Sequence, residues 1–312
     1  MSIKPAYFLI LCLVASAVSC AEKDASVLRL GYLQSDLHHL PAFVALEKGY
    51  FAEQGLKVQV GRAFKAGPEE MSAFGADELD FGYVGQAPAT AALLNGAADI
   101  QFIAQVNLEG SAIVGRKHAG IDSLSQFTGK TVAIPGHATM QDFLLRRALK
   151  NSGMNLSDIR LIVLKPPEMQ QALEQKNIDA FIAWQPYPAQ AQKSDAVQVV
   201  LDSAAIWKDH PCCALIARRT LCEKQPQTIK KIEAAHIKAC AFIADHHDEA
   251  VAIGMKYTSM DRAVVEQAML HIRFTSTLDK AKAREFVEFL KELRYIKAAD
   301  ADTLFLRAFF NS

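Results

Sequence analysis

From residue 28 onward, short apolar runs rich in β-branched and aromatic residues alternate with longer stretches whose apolar positions recur every three to four residues. That alternation of strand-length and helix-length segments predicts an α/β protein with mostly parallel sheets. In the first half, strands are predicted over 28–33, 57–64, 81–84 and 100–106, with helices over 41–53, 68–74 and 88–94 between them. Pro68 and Pro88 suit first turns, and Gly55 and Gly96 suit helix ends that need φ > 0. A second unit follows the run 111–116, with strands over 131–134, 159–164, 180–183 and 197–201 and helices from Thr139 and over 167–175. Thr139 and Asp142 have the spacing of a capping box. After Pro211 comes one more strand, 213–217, and then only helical periodicity, over 227–245, 249–257, 263–272, 280–293 and 302–309. A helical tail without strands of its own is expected to pack on the first unit. Lobe 1 is therefore read as 28–110 plus 212–312 and lobe 2 as 111–211, with the chain crossing between them near 107–113 and 205–213. Such a layout leaves a cleft, and open α/β sheets bind ligands beyond the carboxyl ends of their strands.

Residues 1–19 break the pattern: one charge, Lys4, then an apolar run and small residues before Cys20. That is the form of an export signal, too short for a comfortable membrane span. Ala17-Val18-Ser19-Cys20 resembles a lipobox, which would make Cys20 the acylated first residue of a lipoprotein anchored at the cell surface or in the periplasm, although Leu is absent three positions before the Cys. Composition adds an exclusion. The 34 basic and 34 acidic residues cancel, so the field expected of a nucleic-acid binder is missing, and removing 1–19 changes the balance by a single Lys. In an oxidising compartment Cys212, Cys213, Cys222 and Cys240 allow three disulfide pairings, and spacing chooses none of them.

The phrases Leu30-Gly31-Tyr32, Phe43 to Phe51 (FVALEKGYF), Leu79 to Gly85 (LDFGYVG), Gly129-Lys130-Thr131-Val132-Ala133 and Asp179 to Tyr187 (DAFIAWQPY) occur in order along 28–220. As a set they resemble the nitrate/sulfonate/taurine branch of ABC-importer solute-binding proteins, which also includes thiamine-precursor binders. The resemblance implies a type II periplasmic-binding fold with a hinged cleft, capture of a small solute such as an organic anion or a thiamine precursor, and delivery to a permease and its ATPase. It implies a non-enzyme. A relative of the fold is an iron-dependent synthase of the thiamine pyrimidine, but Cys212-Cys213 is only a fragment of its cysteine-rich motif; a sensor subunit would differ in partner alone.

The loops at the cleft supply the candidate ligands. Ser35, His38 and His39 follow the first strand; Gly85 and Gln86 open a helix where small residues admit a ligand to backbone. Glu109 and Ser111 lie at the first crossover and His210, Cys212 and Cys213 at the second, while His137 and Thr139 precede a helix whose N-terminus suits an anion. Trp184 and Gln185 end a strand; the Trp ring would stack on a planar solute, and Gln185 stands where many relatives carry an acid. Imidazole with thiolate is also the ligand set of zinc or another thiophilic metal, which makes His38, His39, His210, Cys212 and Cys213 a candidate metal group, although no short metal motif is present. His236, His246 and His247 are read as solvated. Neither a nucleophile–base pair nor a GxGxxG or phosphate loop argues for catalysis.

Overall fold

The computed structural model describes residues 27–297 and 301–309, so the signal-type segment and Cys20 lie outside the described residues. In the first half the βα alternation is direct: β1 (Leu28–Leu33), α1 (Leu40–Glu47), α2 (Tyr50–Glu53), β2 (Val58–Phe64), α3 (Gly67–Gly75), β3 (Phe81–Gly85), α4 (Gln86–Leu94) and β4 (Ile100–Glu109). The helix expected over 41–53 is two, because Gly49 adopts φ 71° and turns the chain between α1 and α2. β1 pairs in parallel with β2 and β3, and β10 (Pro211–Arg218) runs antiparallel between β3 and β4.

The second half folds as β5 (Ser111–Arg116), β6 (Thr131–Ile134), α5 (Met140–Asn151), β7 (Arg160–Val163), α6 (Pro166–Glu174), β8 (Ala180–Trp184), α7 (Tyr187–Ala191), β9 (Val197–Asp202) and α8 (Ser203–Ile206). These strands form a separate sheet ordered β7-β6-β8-β5-β9. Two single-strand passages join the sheets. At the first, Glu109 and Gly110 take φ 62° and 90° between β4 and β5; at the second, Asp209 takes φ 58° before β10. The passages hold each other: the Glu109 amide donates to the His210 carbonyl (3.1 Å), and the Asp209 amide donates to Glu109 Oε1 (2.7 Å). Short connections with tightly turned backbone at one edge are the geometry of a hinge.

The tail comprises α9 (Arg219–Lys224), α10 (Pro226–Asp245), α11 (His247–Thr258), α12 (Arg262–Met269), β11 (Ile272–Phe274), α13 (Lys280–Glu292) and α14 (Ala301–Leu306). Two expectations about it are corrected. It does contain a strand: β11 pairs antiparallel with β4 and completes the order β11-β4-β10-β3-β1-β2. And it does not pack on the first lobe alone. α10 and α11 cover α1, but α13 lies against α5 of the second lobe, with Phe143 packed on Phe286 (ring centroids 4.2 Å) and Phe289 (4.7 Å) and Arg147 paired to Glu285 at 2.7 Å. The apolar stripe of α13 is wide enough to serve both lobes, and α13 also touches α4. No described helix is long and apolar enough to cross a membrane.

Candidate functional site

The site is built where the loop after β1 meets the start of β10. Asp36 caps the short 3-10 turn Leu37–His39: its Oδ1 accepts the His38 amide at 2.9 Å, and this fixes both imidazoles pointing inward. His39 Nδ1 accepts the Leu33 amide (3.0 Å), so its proton sits on Nε2, which is buried 3.9 Å from Asp36 Oδ2 with no hydrogen-bond partner among the described residues. His38 is oriented the opposite way. Its Nε2 donates to the Gly110 carbonyl at 2.8 Å, and Nδ1 faces the thiols.

Adjacent residues in a regular strand point to opposite faces. β10 is not regular here: its pairing with β4 slips between Pro211 and Cys213 and again before Ala214, a bulge that re-aims the side chains. Cys212 Sγ and Cys213 Sγ consequently lie on one side, 3.5 and 3.7 Å from His38 Nδ1. All six of Asp36, His38, His39, Glu70, Cys212 and Cys213 are buried, and no described cysteine is in a disulfide.

Burial among these neighbours reshapes their acidities. Removal from water pushes Asp36 up to about 7. Burial opposes a charge on His38, but the Cys212 sulfur and Asp36 outweigh it and raise the ring to about 9. A hydrogen bond with Cys213 pulls the Cys212 thiol well down, with His38 helping against burial, while burial drives Cys213 up. Burial and the charged His38 push His39 well down. Glu70 rises well above the carboxylate range because it is wholly buried and faces Asp36. Neither Glu70 oxygen has a partner among the described residues, and Gly31 and Gly82 make room for it: a Cβ at either would come within 2.8 and 2.5 Å of Oε1.

One space borders this group, and a second adjoins it through Trp184. The inner one, about 10 Å³, is enclosed by residues of both lobes, among them Asp36, His38, Gly85, Met140, Trp184 and Cys213. That is room for about one water. The outer one, about 180 Å³, lies between Gln34, Ser35 and Lys65 of the first lobe and Lys165, Trp184 and Tyr187 of the second. Trp184 borders both, and its Nε1 is buried without a partner among the described residues, as are both amide atoms of Gln86. Such unpaired buried polar atoms are costly unless a ligand or water satisfies them.

Residues 21–255 match the NMT1-like family. A provisionally named binding protein of Brucella abortus is 31% identical over 253 residues, which span 80% of this chain and 76% of that one. The chain belongs to the NMT1-like family. A provisionally named aliphatic sulfonates-binding protein of Bacillus subtilis is 28% identical over 263 residues, 82% of this chain and 76% of its own. The periplasmic nitrate-binding protein of Synechocystis shares the fold, with a TM-score of 0.80 at 18% identity over 92% of this chain and 86% of that one. The resemblance read from the sequence and the two-lobed α/β architecture it implied both hold. By family the protein is a solute-binding protein, and the two relatives and the structure just described carry binding-protein names.

Of the residues singled out in the sequence, His38, Cys212, Cys213, Gly85, Thr139 and Trp184 border the inner space, and Ser35 the outer one. Others are placed elsewhere. His210 stacks on Trp207 (5.9 Å, 22°) and stands apart from the group formed by His38 and the thiols. Glu109 ties the hinge; Gln185 accepts the Leu37 amide on its carbonyl and donates its own amide to Gly110, so it bridges the lobes through backbone. Ser111 Oγ accepts from Gln141 Nε2 at 3.0 Å. His137 is largely exposed, 3.9 Å from Asp142. The expected capping box is displaced by one residue: Thr139 Oγ1 accepts the Asp142 amide, but the Asp142 carboxylate takes the amide of Ala138. That carboxylate already answers the positive end of α5. His236 is not solvated: it is fully buried, with Nε2 donating to the Gln105 carbonyl at 2.8 Å and Nδ1 3.3 Å from the Tyr83 hydroxyl. Asp36 and Glu70 are the members that sequence reasoning missed. A cap and a first-turn acid look ordinary in a sequence; the glycines facing Glu70 were the available sign.

Proposed function

We propose that the protein is an extracytoplasmic receptor that closes its two lobes over a small anionic solute and delivers it to an ABC permease and ATPase, held at the membrane by acylated Cys20. The observation that carries the solute class is the outer space of about 180 Å³, with Lys65 and Lys165 reaching it from opposite lobes and Trp184 and Tyr187 walling it. A sulfonate, nitrate or similar oxyanion would find Lys65 and Lys165 there beside Glu168 and would compete with Glu69 for Lys165, and contacts from both lobes are what convert binding energy into closure. Closure has its own supports at the rim: Lys165 pairs with Glu69 at 2.7 Å and Lys193 with Asp261 at 2.6 Å, each across the cleft. The family relationship supports the same reading, since relatives carry sulfonate- and nitrate-binding names.

The test is a thermal-shift screen of purified protein against alkanesulfonates, taurine, nitrate and the thiamine pyrimidine precursor, followed by calorimetry on any compound that stabilises it. An oxyanion is expected to raise the melting temperature, and Lys165→Ala and Trp184→Phe each to weaken it about tenfold, the order of one charge-assisted hydrogen bond. Stabilisation only by the uncharged precursor, or oxyanion binding indifferent to both substitutions, would overturn the anion assignment. Globomycin-type inhibition of processing, or Cys20→Ser, should release the protein from the membrane fraction; unchanged fractionation would remove the lipid anchor.

A further inference from the structure

The inner cluster has a geometry that solute capture does not explain. We propose that His38, Cys212 and Cys213 form a binding site for a thiophilic ion, zinc(II) or copper(I), seated at the base of the cleft within the first lobe.

Three observations carry this. First, the spacing: a tetrahedral zinc with Zn–S near 2.3 Å and Zn–N near 2.05 Å places nitrogen and sulfur about 3.6 Å apart. Here Nδ1 lies 3.5 and 3.7 Å from the two sulfurs, and the donor atoms of His38, Cys212 and Cys213 all fall within 4.8 Å of one another. Second, the tautomer: His38 Nε2 donates to the Gly110 carbonyl, which fixes Nδ1 as the nitrogen facing the thiols, and metal-bound histidines characteristically donate their second N–H to a carbonyl or carboxylate. Third, the bulge: β10 departs from regular pairing at the two cysteines and so brings both thiols to one side, which a merely packed Cys-Cys pair in a core strand does not need.

The fourth position is open to Asp36 or to the contents of the inner space. Asp36 Oδ1 is 3.5 Å from His38 Nδ1, and a second set of donors, Asp36, His39 and Cys213, shares the Cys213 sulfur. Coordination needs Nδ1 and both sulfurs free of protons: the proton shared by His38 and Cys212 and the one on Cys213 pass to solvent, so charge is conserved. His38 and both cysteines belong to the same lobe, on the β1 loop and on β10. The site is therefore complete whether the cleft is open or shut, and it stands or falls independently of the solute assigned above.

The experiment uses the whole chain, purified under a phosphine reductant, with zinc(II) alone and cobalt(II) alone as probes. One zinc per chain is expected in competition with a chromophoric chelator, and cobalt(II) should give the near-ultraviolet thiolate-to-cobalt charge-transfer band. Cys212→Ser, Cys213→Ser and His38→Gln should each weaken zinc by more than the roughly 10–100-fold that loss of an outer partner causes. Cys222→Ser, at a buried thiol elsewhere in the chain, should leave the stoichiometry unchanged. Absence of stoichiometric zinc in the reduced wild type, a cobalt spectrum without the thiolate band, or full binding by the Cys212→Ser/Cys213→Ser variant would each overturn the site. The cobalt spectrum is read on the wild type, so the proposal remains decidable even if a substituted chain does not fold.

Discussion

Replacing Gly110 by alanine tests the joint between hinge and site most directly. Gly110 has φ 90°, and an added Cβ would stand 2.3 Å from His38 Nε2. Two costs follow. An L-residue in the left-handed region costs about 1–2 kcal/mol. The methyl also forces the imidazole off the Gly110 carbonyl, and a buried donor left without its partner costs about 1–3 kcal/mol. The sum, about 2–5 kcal/mol, corresponds to a fall in melting temperature of roughly 4–10 °C at about 2 °C per kcal/mol for a chain of this size. Gly49→Ala is the control, because Gly49 has φ 71° with nothing within 4 Å of its Cβ and pays only the first cost. Calorimetry of both variants in metal-free buffer separates the backbone cost from the side-chain clash, which falls on His38 and, at 2.9 Å, on Ile272 Cγ1. Equal losses in the two would refute the claim that His38 is braced by the hinge. Because the same carbonyl orients the Nδ1 donor, Gly110→Ala should also weaken zinc about 10–100-fold, while Gly49→Ala should not.

Asp80 accepts the Arg29 amide (2.7 Å) and Arg29 Nε (3.0 Å) and also pairs with Arg218; burial opposes its charge, but these donors hold the carboxyl below its usual range. Asp80→Asn should cost about 2–4 kcal/mol at pH 7 in chemical denaturation, and since a lowered carboxyl stabilises above its unfolded value near 3.9 and loses this as pH falls through the folded value, the gap to wild type should close in acid. A constant gap down to pH 3 would contradict this. Burial pushes His236 down to about 4, so its neutral ring favours folding above about pH 6.5 and that advantage fades as pH falls toward 4, by up to roughly 1.4 kcal/mol per unit. His236→Gln should flatten that part of the stability–pH profile; a parallel profile would show that another group sets it. At the rim, Glu69→Gln and Lys193→Ala remove partly exposed pairs worth about 0.2–1 kcal/mol each while leaving Lys165 in place, so the double variant should bind solute roughly threefold or more weakly, chiefly through faster release in stopped-flow measurements. Unchanged release would show that the rim pairs do not hold the closed form.

What could be read in advance followed the periodicity of the signal. Alternating apolar runs located most strands of both sheets, because a buried parallel strand and a one-faced helix leave different repeats. The ordered family phrases then supplied the architecture. His236 shows where that reading was incomplete rather than blind: it lies four residues after Ile232 and three before Ala239, inside the apolar stripe of α10, and the stripe marked it as buried although its residue type suggested solvent. Other features were beyond any local pattern. The bulge at Cys212 depends on how β10 meets β4, a hundred residues away in sequence, and a strand bulge leaves no repeat to read. The tail was the harder case, since the apolar face of α13 says that the helix is covered and not by which lobe.

That placement has a consequence for motion. The seam between α13 and α5 is an aromatic packing of Phe143, Phe286, Phe289 and Trp207, whereas the rim at Lys165–Glu69 and Lys193–Asp261 is partly exposed and ionic. Apolar area is lost at about 25 cal/mol per Å² on separation, while exposed ion pairs exchange readily for water. Opening is therefore expected to break the rim and roll the second lobe on the α13 seam, about the passages at Gly110 and Asp209. Such a motion would expose the space between Lys65 and Lys165 to water, while the histidine–thiol group, carried wholly by the first lobe, would keep its internal spacing.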